Sequence, residues 1–366
     1  MTTTRLPARR ALGALAALGL AAAPAAAWAE ESAISISVPV EVQLDHVSDA
    51  DDNSEGTDLT TTIEPEITVG LSHGLSLVAG LVFEPVKDRL PGTDRAFKNN
   101  GLYVQTLMVA WEAEPFTLHA GKFTPVFGFD GDHARGMYAD TFLGDYELTE
   151  RLGFGGSATL PIDGVGDVTV AASLFTRDRS PLAGSIITDR GRLAYGDGTP
   201  GNTDSLENGT IAVDFVPAHL PDLLVRASYL HQGKGLGDTA NQDAYGLGAD
   251  YSIEVADGVT VAPMVDWVRS HDAVGFTDGA SIAGARTDTI TTGVQLAAGP
   301  WYGTLTQGWR TIDDTTPTEI NDRFTQITAG YEFDFGLAVE AGWMGLRDGG
   351  VDSTTVGFLM GYGFEF

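Results

Sequence analysis

The sequence contains no cysteine. That excludes disulfides, thiolate metal sites and a cysteine nucleophile. Basic residues are scarce: 21 Lys and Arg stand against 50 Asp and Glu, a net charge of −29. So acidic a chain repels nucleic acid and other polyanions and attracts cations. Acidity with few aromatics would suggest disorder, but 17 Phe, 10 Tyr and 6 Trp argue against it. Beyond the N-terminal leader, no stretch reaches the ~18 uninterrupted apolar residues of a membrane-spanning helix. The seven histidines, His46, His73, His119, His133, His219, His231 and His271, include no pair at metal-ligand spacing. No set of serine, histidine and acid stands out as catalytic. The sequence therefore gives no reason to expect an enzyme, a metal site or a cofactor.

What is present begins with a leader. Arg5, Arg9 and Arg10 precede an apolar run from Ala11 to Ala23, and Ala27-Trp28-Ala29 forms an A-x-A cleavage site. This reads as a secretory signal peptide over residues 1–29, leaving 30–366 as one domain. The Arg9-Arg10 pair hints at twin-arginine export. It is set aside, because a pair alone is weak and a membrane barrel must cross the inner membrane unfolded. Cleavage removes three arginines and no acids, so the balance becomes 18 basic against 50 acidic residues, or −32.

The mature chain alternates. Val356, Phe358, Met360, Tyr362, Phe364 and Phe366 share one face of the last segment, and Gly357, Leu359, Gly361, Gly363 and Glu365 the other. Ile34, Ile36, Val38, Val40, Val42 and Leu44 alternate with polar partners at the start. Side chains change face at every strand residue, so each segment has an apolar and a polar or small face. Sixteen such strands are expected, from 33–46 to 354–366. Short connections rich in Gly, Pro and Asp alternate with long ones at 47–58, 85–100, 124–149, 176–208, 233–242, 270–285, 311–322 and 346–353. A soluble sandwich gives no reason for that alternation. A transmembrane antiparallel β-barrel of about 16 strands does, because lipid requires every backbone group to be paired. Trp111, Trp301, Trp309 and Trp343 fall near strand ends, where interfacial rings belong. The expected fold class is thus all-β: a closed barrel with short periplasmic turns and long external loops.

A barrel of this size encloses water. By parity Glu41, Asp45, Glu64, Glu66, Asp214, Asp250, Asp266, Glu340 and Glu365 face inwards, with Arg151 and Arg226 the chief bases. Acidic rings favour cations. The third long loop carries Phe127, Phe129, Met137, Tyr138, Phe142 and Leu143, which an exposed loop does not need. It is expected to fold into the lumen and set the constriction. Asp130, Asp132, Asp140 and Asp145 would line its acidic side, and Lys122, Arg135, Arg151 and Arg226 its basic side. Glu41, Glu64, Glu66 and Asp266 complete the expected pore lining. The first loop, Asp49 to Glu55, alternates oxygen ligands but lacks the glycine of a calcium loop, so it reads as solvated acid. Weak divalent binding near lipopolysaccharide is the metal chemistry it suggests.

Gly121-Lys122-Phe123, Pro125 and Phe127-Gly128 resemble the G-K-F-x-x-P-F-G stretch of phosphate-selective-type porins, with Val126 as an extra residue. Gly144 to Arg151 resembles the matching stretch of the LbtU siderophore-porin family. The resemblance covers residues 116–160 and is otherwise architectural. It implies a Gram-negative outer-membrane porin, passing small hydrophilic solutes and ions by diffusion, embedded beside lipopolysaccharide and trimeric. The terminal aromatic strand resembles the signal read by the barrel assembly machinery. The acids in the lumen depart from the basic ladder of phosphate-selective porins, so a cation bias is expected instead. The alternative is a substrate-selective channel of the siderophore-porin kind, without a plug domain.

Overall fold

The computed structural model describes residues 34–274 and 280–366. The leader and its cleavage site lie outside the described residues. Sixteen wall strands follow one another. They are β1 (Ile34–Ala50), β2 (Gly56–Ile63, continuing as Glu66–Gly70), β3 (Leu75–Pro85), β4 (Asn100–Ala113), β5 (Phe116–Phe123), β6 (Arg151–Ile162), β7 (Gly166–Arg177) and β8 (Asn208–Pro217). Then come β9 (Leu223–Gln232), β10 (Gln242–Tyr251, continuing as Ile253–Ala256), β11 (Val259–His271), β12 (Arg286–Ala298), β13 (Trp301–Asp313), β14 (Ile320–Glu332), β15 (Ala338–Asp348) and β16 (Val351–Glu365).

Each strand pairs antiparallel with its neighbours, and the sheet closes on itself. β16 lies against β1, with Val38 opposite Phe364 and Leu44 opposite Phe358. Closure leaves no unpaired edge, which is what a hydrocarbon surround demands. Among the described residues, no helix is long and apolar enough to cross a membrane. The outward face of the wall is apolar and exposed, with Leu44, Leu118, Phe154, Leu174, Ile211, Leu247, Leu305, Ile327 and Phe358 among its residues. Aromatic rings gather at the turn end, where the described chain begins and ends. Trp301, Tyr331 and Phe333 stand in edge contact at 4.7 and 4.8 Å, and Tyr362 meets Phe364 at 4.6 Å.

One strand is interrupted where the sequence reads as continuous. Pro65 breaks β2, because it has no N–H to give the ladder. The chain bridges the gap with bonds from Glu64 N–H to the Pro39 carbonyl and from Leu81 N–H to the Pro65 carbonyl. Three external connections are much shorter than expected, one of them 314–319 between β13 and β14. β1 and β2 run to Ala50 and from Gly56, leaving five residues between them. β15 and β16 are joined only by Gly349 and Gly350, at φ of 56° and 87°. Two successive positive φ values give a tight hairpin turn whose twist matches the strands. The polar residues around it belong to the barrel rim, not to a loop. A further departure lies in the second external loop, where Arg95 and Ala96 pair parallel with Asp58 and Leu59.

Candidate functional site

The barrel's core is its third external loop, residues 124–150, laid across the lumen between β5 and β6. Phe127, Phe129, Leu143, Tyr146 and Leu148 pack on Phe175, Leu230, Ala244, Met264 and Val268 of β7 and β9–β11. Met137, Tyr138 and Phe142 pack on Phe324, Met344, Leu346 and Leu359 of β14–β16. Phe129 and Leu143 are wholly buried. Burying each such side chain stabilises the folded loop by about 1.5–3 kcal/mol. Where the loop's apolar side chains lie, the wall presents apolar ones.

Polar wall residues then fix the loop's backbone. On one side, Gly128 N–H donates to Ser228 Oγ at 3.0 Å and its carbonyl accepts from Arg226 Nη1 at 3.0 Å. Phe129 N–H donates to Asp266 Oδ2 at 3.2 Å, and the Tyr146 hydroxyl donates to the same oxygen. In mid-lumen, the Arg135 carbonyl accepts from Thr306 Oγ1 at 2.6 Å and Gln326 Nε2 at 2.8 Å. The Arg135 guanidinium pairs with Asp250. On the far side, Met137 N–H donates to Glu340 Oε1 at 3.2 Å and Tyr138 N–H to Gln326 Oε1 at 2.9 Å. The Tyr138 hydroxyl reaches Asp45 Oδ1 at 2.6 Å. A buried backbone needs such partners, and here the wall supplies them from five strands, β9, β11 and β13–β15. Arg310 closes the set. It pairs with Asp145 of the loop at 2.5 Å, with Asp322 at 2.7 Å, and with Asp348. Burial pushes the Asp145 carboxyl up to about 6 although Arg310 pulls it down. Burial also raises the Tyr138 and Tyr146 hydroxyls above the usual tyrosine range, with Asp45 and Asp266 adding to the shift.

The structure distributes the residues singled out from the sequence as follows. Asp266 is buried under the loop and Asp140 is buried within it. Asp132 is exposed and Asp130 is partly exposed. Asp130 accepts from Asp132 N–H at 3.1 Å and meets His133 Nδ1 at 2.9 Å, while His133 stacks on Phe129 at 4.3 Å. Asp145 and Arg135 serve the attachments above. Arg226 is forked on Asp214 at 2.7 and 2.8 Å. Arg151 is 4% exposed and donates to the Thr149 carbonyl at 2.9 Å. Lys122 is 1% exposed, between Glu150 at 2.8 Å and Asp178 at 2.7 Å. There it ties the third loop's end to the start of the fourth loop. Glu41 stands opposite Thr62 and Gly361 on the lumenal face, and Glu66 opposite Ser37. Glu64 follows directly on β2.

The turn half of the lumen is acidic. By register, Glu41, Glu66, Glu112, Asp167, Glu332 and Glu365 all fall on inward positions. Glu66, Glu112, Asp167 and Glu365 are exposed to lumen water. The bases that reach this depth, Arg135 and Arg226, are already paired with Asp250 and Asp214. Sequence reasoning missed the loop's polar anchors Ser228, Thr306, Gln326 and Arg310. Parity places them inward, but nothing local shows which inward residue meets a loop.

No family model matches the chain, and no curated protein matches it in sequence. Solved structures do match in fold. The outer-membrane channel DcaP of Acinetobacter baumannii superposes with a TM-score of 0.62 at 13% identity, over 91% of this chain and 97% of that one. The outer-membrane protein OpdK of Pseudomonas aeruginosa gives 0.56 at 10% identity, over 91% and 99%. OmpT of Vibrio cholerae, in a trimer form, gives 0.54 at 12%, over 91% and 99%. The fold is therefore that of Gram-negative outer-membrane channels. Its apolar outer wall and aromatic turn end are those of a β-barrel embedded in a membrane.

Proposed function

We propose that the protein is a passive, cation-biased diffusion channel for small hydrophilic solutes, constricted by its third loop. The observation that carries the reading is the uneven charge of the lumen. Among the described residues, the turn half carries acids whose only nearby bases are already paired. Arg151 and Arg177 stand opposite one another at the loop end, away from those acids. A wall of acids in a water-filled, low-dielectric tube raises the local cation concentration and lowers that of anions. Asp130 and Asp132, on the exposed stretch of the loop, extend that acidic surface into the constriction.

The wall acids have a second task. Asp45, Asp250, Asp266 and Glu340 hold the loop, so they fix the bore as well as its charge. A homotrimer embedded in lipopolysaccharide and inserted by the barrel assembly machinery completes the proposal. The V. cholerae structure in trimer form supports the oligomer.

Solute uptake tests the reading. Liposomes holding the folded barrel should swell faster in lysine than in glutamate of equal osmolarity, with neutral glutamine between them. Glutamate entering fastest would overturn the charge assignment. No swelling with any of the three would overturn the open channel.

A further inference from the structure

Four arginines point away from the lumen. Arg269, Arg286, Arg323 and Arg347 occupy outward positions at the loop end of β11, β12, β14 and β15. Below them lie the outward indoles Trp267, Trp309 and Trp343; the last two are 46% and 41% exposed. The Arg269 guanidinium lies 5.5 Å from the centre of the Trp267 ring. Trp309 stands directly opposite Arg323. Interfacial rings mark the depth of lipid headgroups, so the arginines sit at that depth on the outer leaflet.

The counter-charges are too few. Asp288 is shared between Arg269 at 2.6 Å and Arg286 at 3.2 Å. Asp313 is opposite Arg286, and Asp352 serves Arg347 at 2.7 Å. Arg323 is exposed and joins no ion pair among the described residues. It stands directly opposite Arg347 across the β14–β15 ladder. Like charges directly opposite one another destabilise a sheet. In a chain of net charge −29, carboxylates are plentiful, yet Asp352 alone is set against this pair of charges.

We propose that Arg323 and Arg347 form a docking site for the phosphate of an outer-leaflet glycolipid, flanked by Trp309 and Trp343. A phosphate monoester offers oxygens enough to bridge two guanidiniums, and charge-assisted forks of that kind are strong. All four outward bases are arginine rather than lysine, as planar phosphate recognition favours. The exposed indoles and the apolar wall below them receive the acyl chains. The proposal goes beyond the channel reading, since it uses residues of the opposite face.

The test is a titration of the folded full-length barrel in detergent with bisphosphorylated lipid A, read by tryptophan fluorescence. Arg323→Gln with Arg347→Gln should weaken binding about five- to tenfold, the loss of one forked charge-assisted contact. Arg323→Lys with Arg347→Lys should recover part of it. Heat-modifiable electrophoretic mobility and single-channel conductance should stay as in the wild type, since neither residue faces the lumen. Unchanged lipid A affinity in the glutamine variant would overturn the site. Displacement of lipid A by inorganic phosphate at equal concentration would also overturn it, by assigning the arginines to free anions. A wild-type barrel that binds lipid A but passes no ions would refute the channel and leave the site standing.

Discussion

Asp266 serves two groups of the third loop at once, the Phe129 N–H and the Tyr146 hydroxyl. Replacing it with alanine leaves both donors buried without a partner. Each unmet group costs about 1–3 kcal/mol, so the loop should come loose from β11 while the wall stays closed. The expected record is a noisier single channel with more frequent partial closures; a quiet current would mean that the apolar contacts alone hold the loop. Asp145 makes a pH-dependent prediction. Its carboxyl titrates at about 6 instead of 3.8, because burial outweighs the pull of Arg310. A raised carboxyl favours the protonated folded form. Its ionisation therefore lowers stability above about pH 6, and acidification towards 3.8 relieves that cost. The same proton removes one negative charge from the lumen. Cation preference should fall between roughly pH 7 and pH 5, and Asp145→Asn should flatten that fall. A variant that titrates like the wild type would assign the fall to other groups.

The third loop's backbone comes close against the wall at Gly136. Its φ is +87°, and a methyl there would stand 2.3 Å from Thr304 Oγ1 and 2.9 Å from Gln326 Oε1. Gly136→Ala should cost on the order of 1–3 kcal/mol, lower the temperature of heat modification, and push the loop's centre off β13 and β14. An unshifted transition would show that the backbone there adapts freely. The strands themselves were legible because a membrane wall writes period two on every one of them. Legibility failed where a different rule took over. Pro65 broke β2 through its missing N–H, not through hydropathy. The β15–β16 turn looked like a loop because Arg347, Asp348 and Asp352 are polar; polarity there marks the rim, and two glycines suffice to reverse the chain. The third loop was legible as lumenal from its aromatics, since water offers them no reason to be there.

At the scale of the whole molecule, the charge is sorted by place. Acids dominate the turn half of the lumen, ion-paired bases pin loops at the other end, and unbalanced arginines stand outside at the rim. Composition announced the excess of acid but not this sorting. Lys122 shows why: its place at the head of the loop motif put it at the pore, while the structure buries it between Glu150 and Asp178, contributed by two different loops. Pairing across 28 to 56 residues of chain is decided by loop packing, which a one-dimensional period does not carry. The acidic lining should also depend on salt, because ions screen exposed charges beyond about 10 Å at 0.1 M. Selectivity should therefore weaken steeply as salt rises. The most direct test of the acid-lined channel is the reversal potential of the wild-type barrel in a planar bilayer under a KCl gradient. A stable conductance with a cation-selective potential, shrinking at high salt, is the predicted result. An anion-selective potential, or no conductance from properly folded protein, would contradict it.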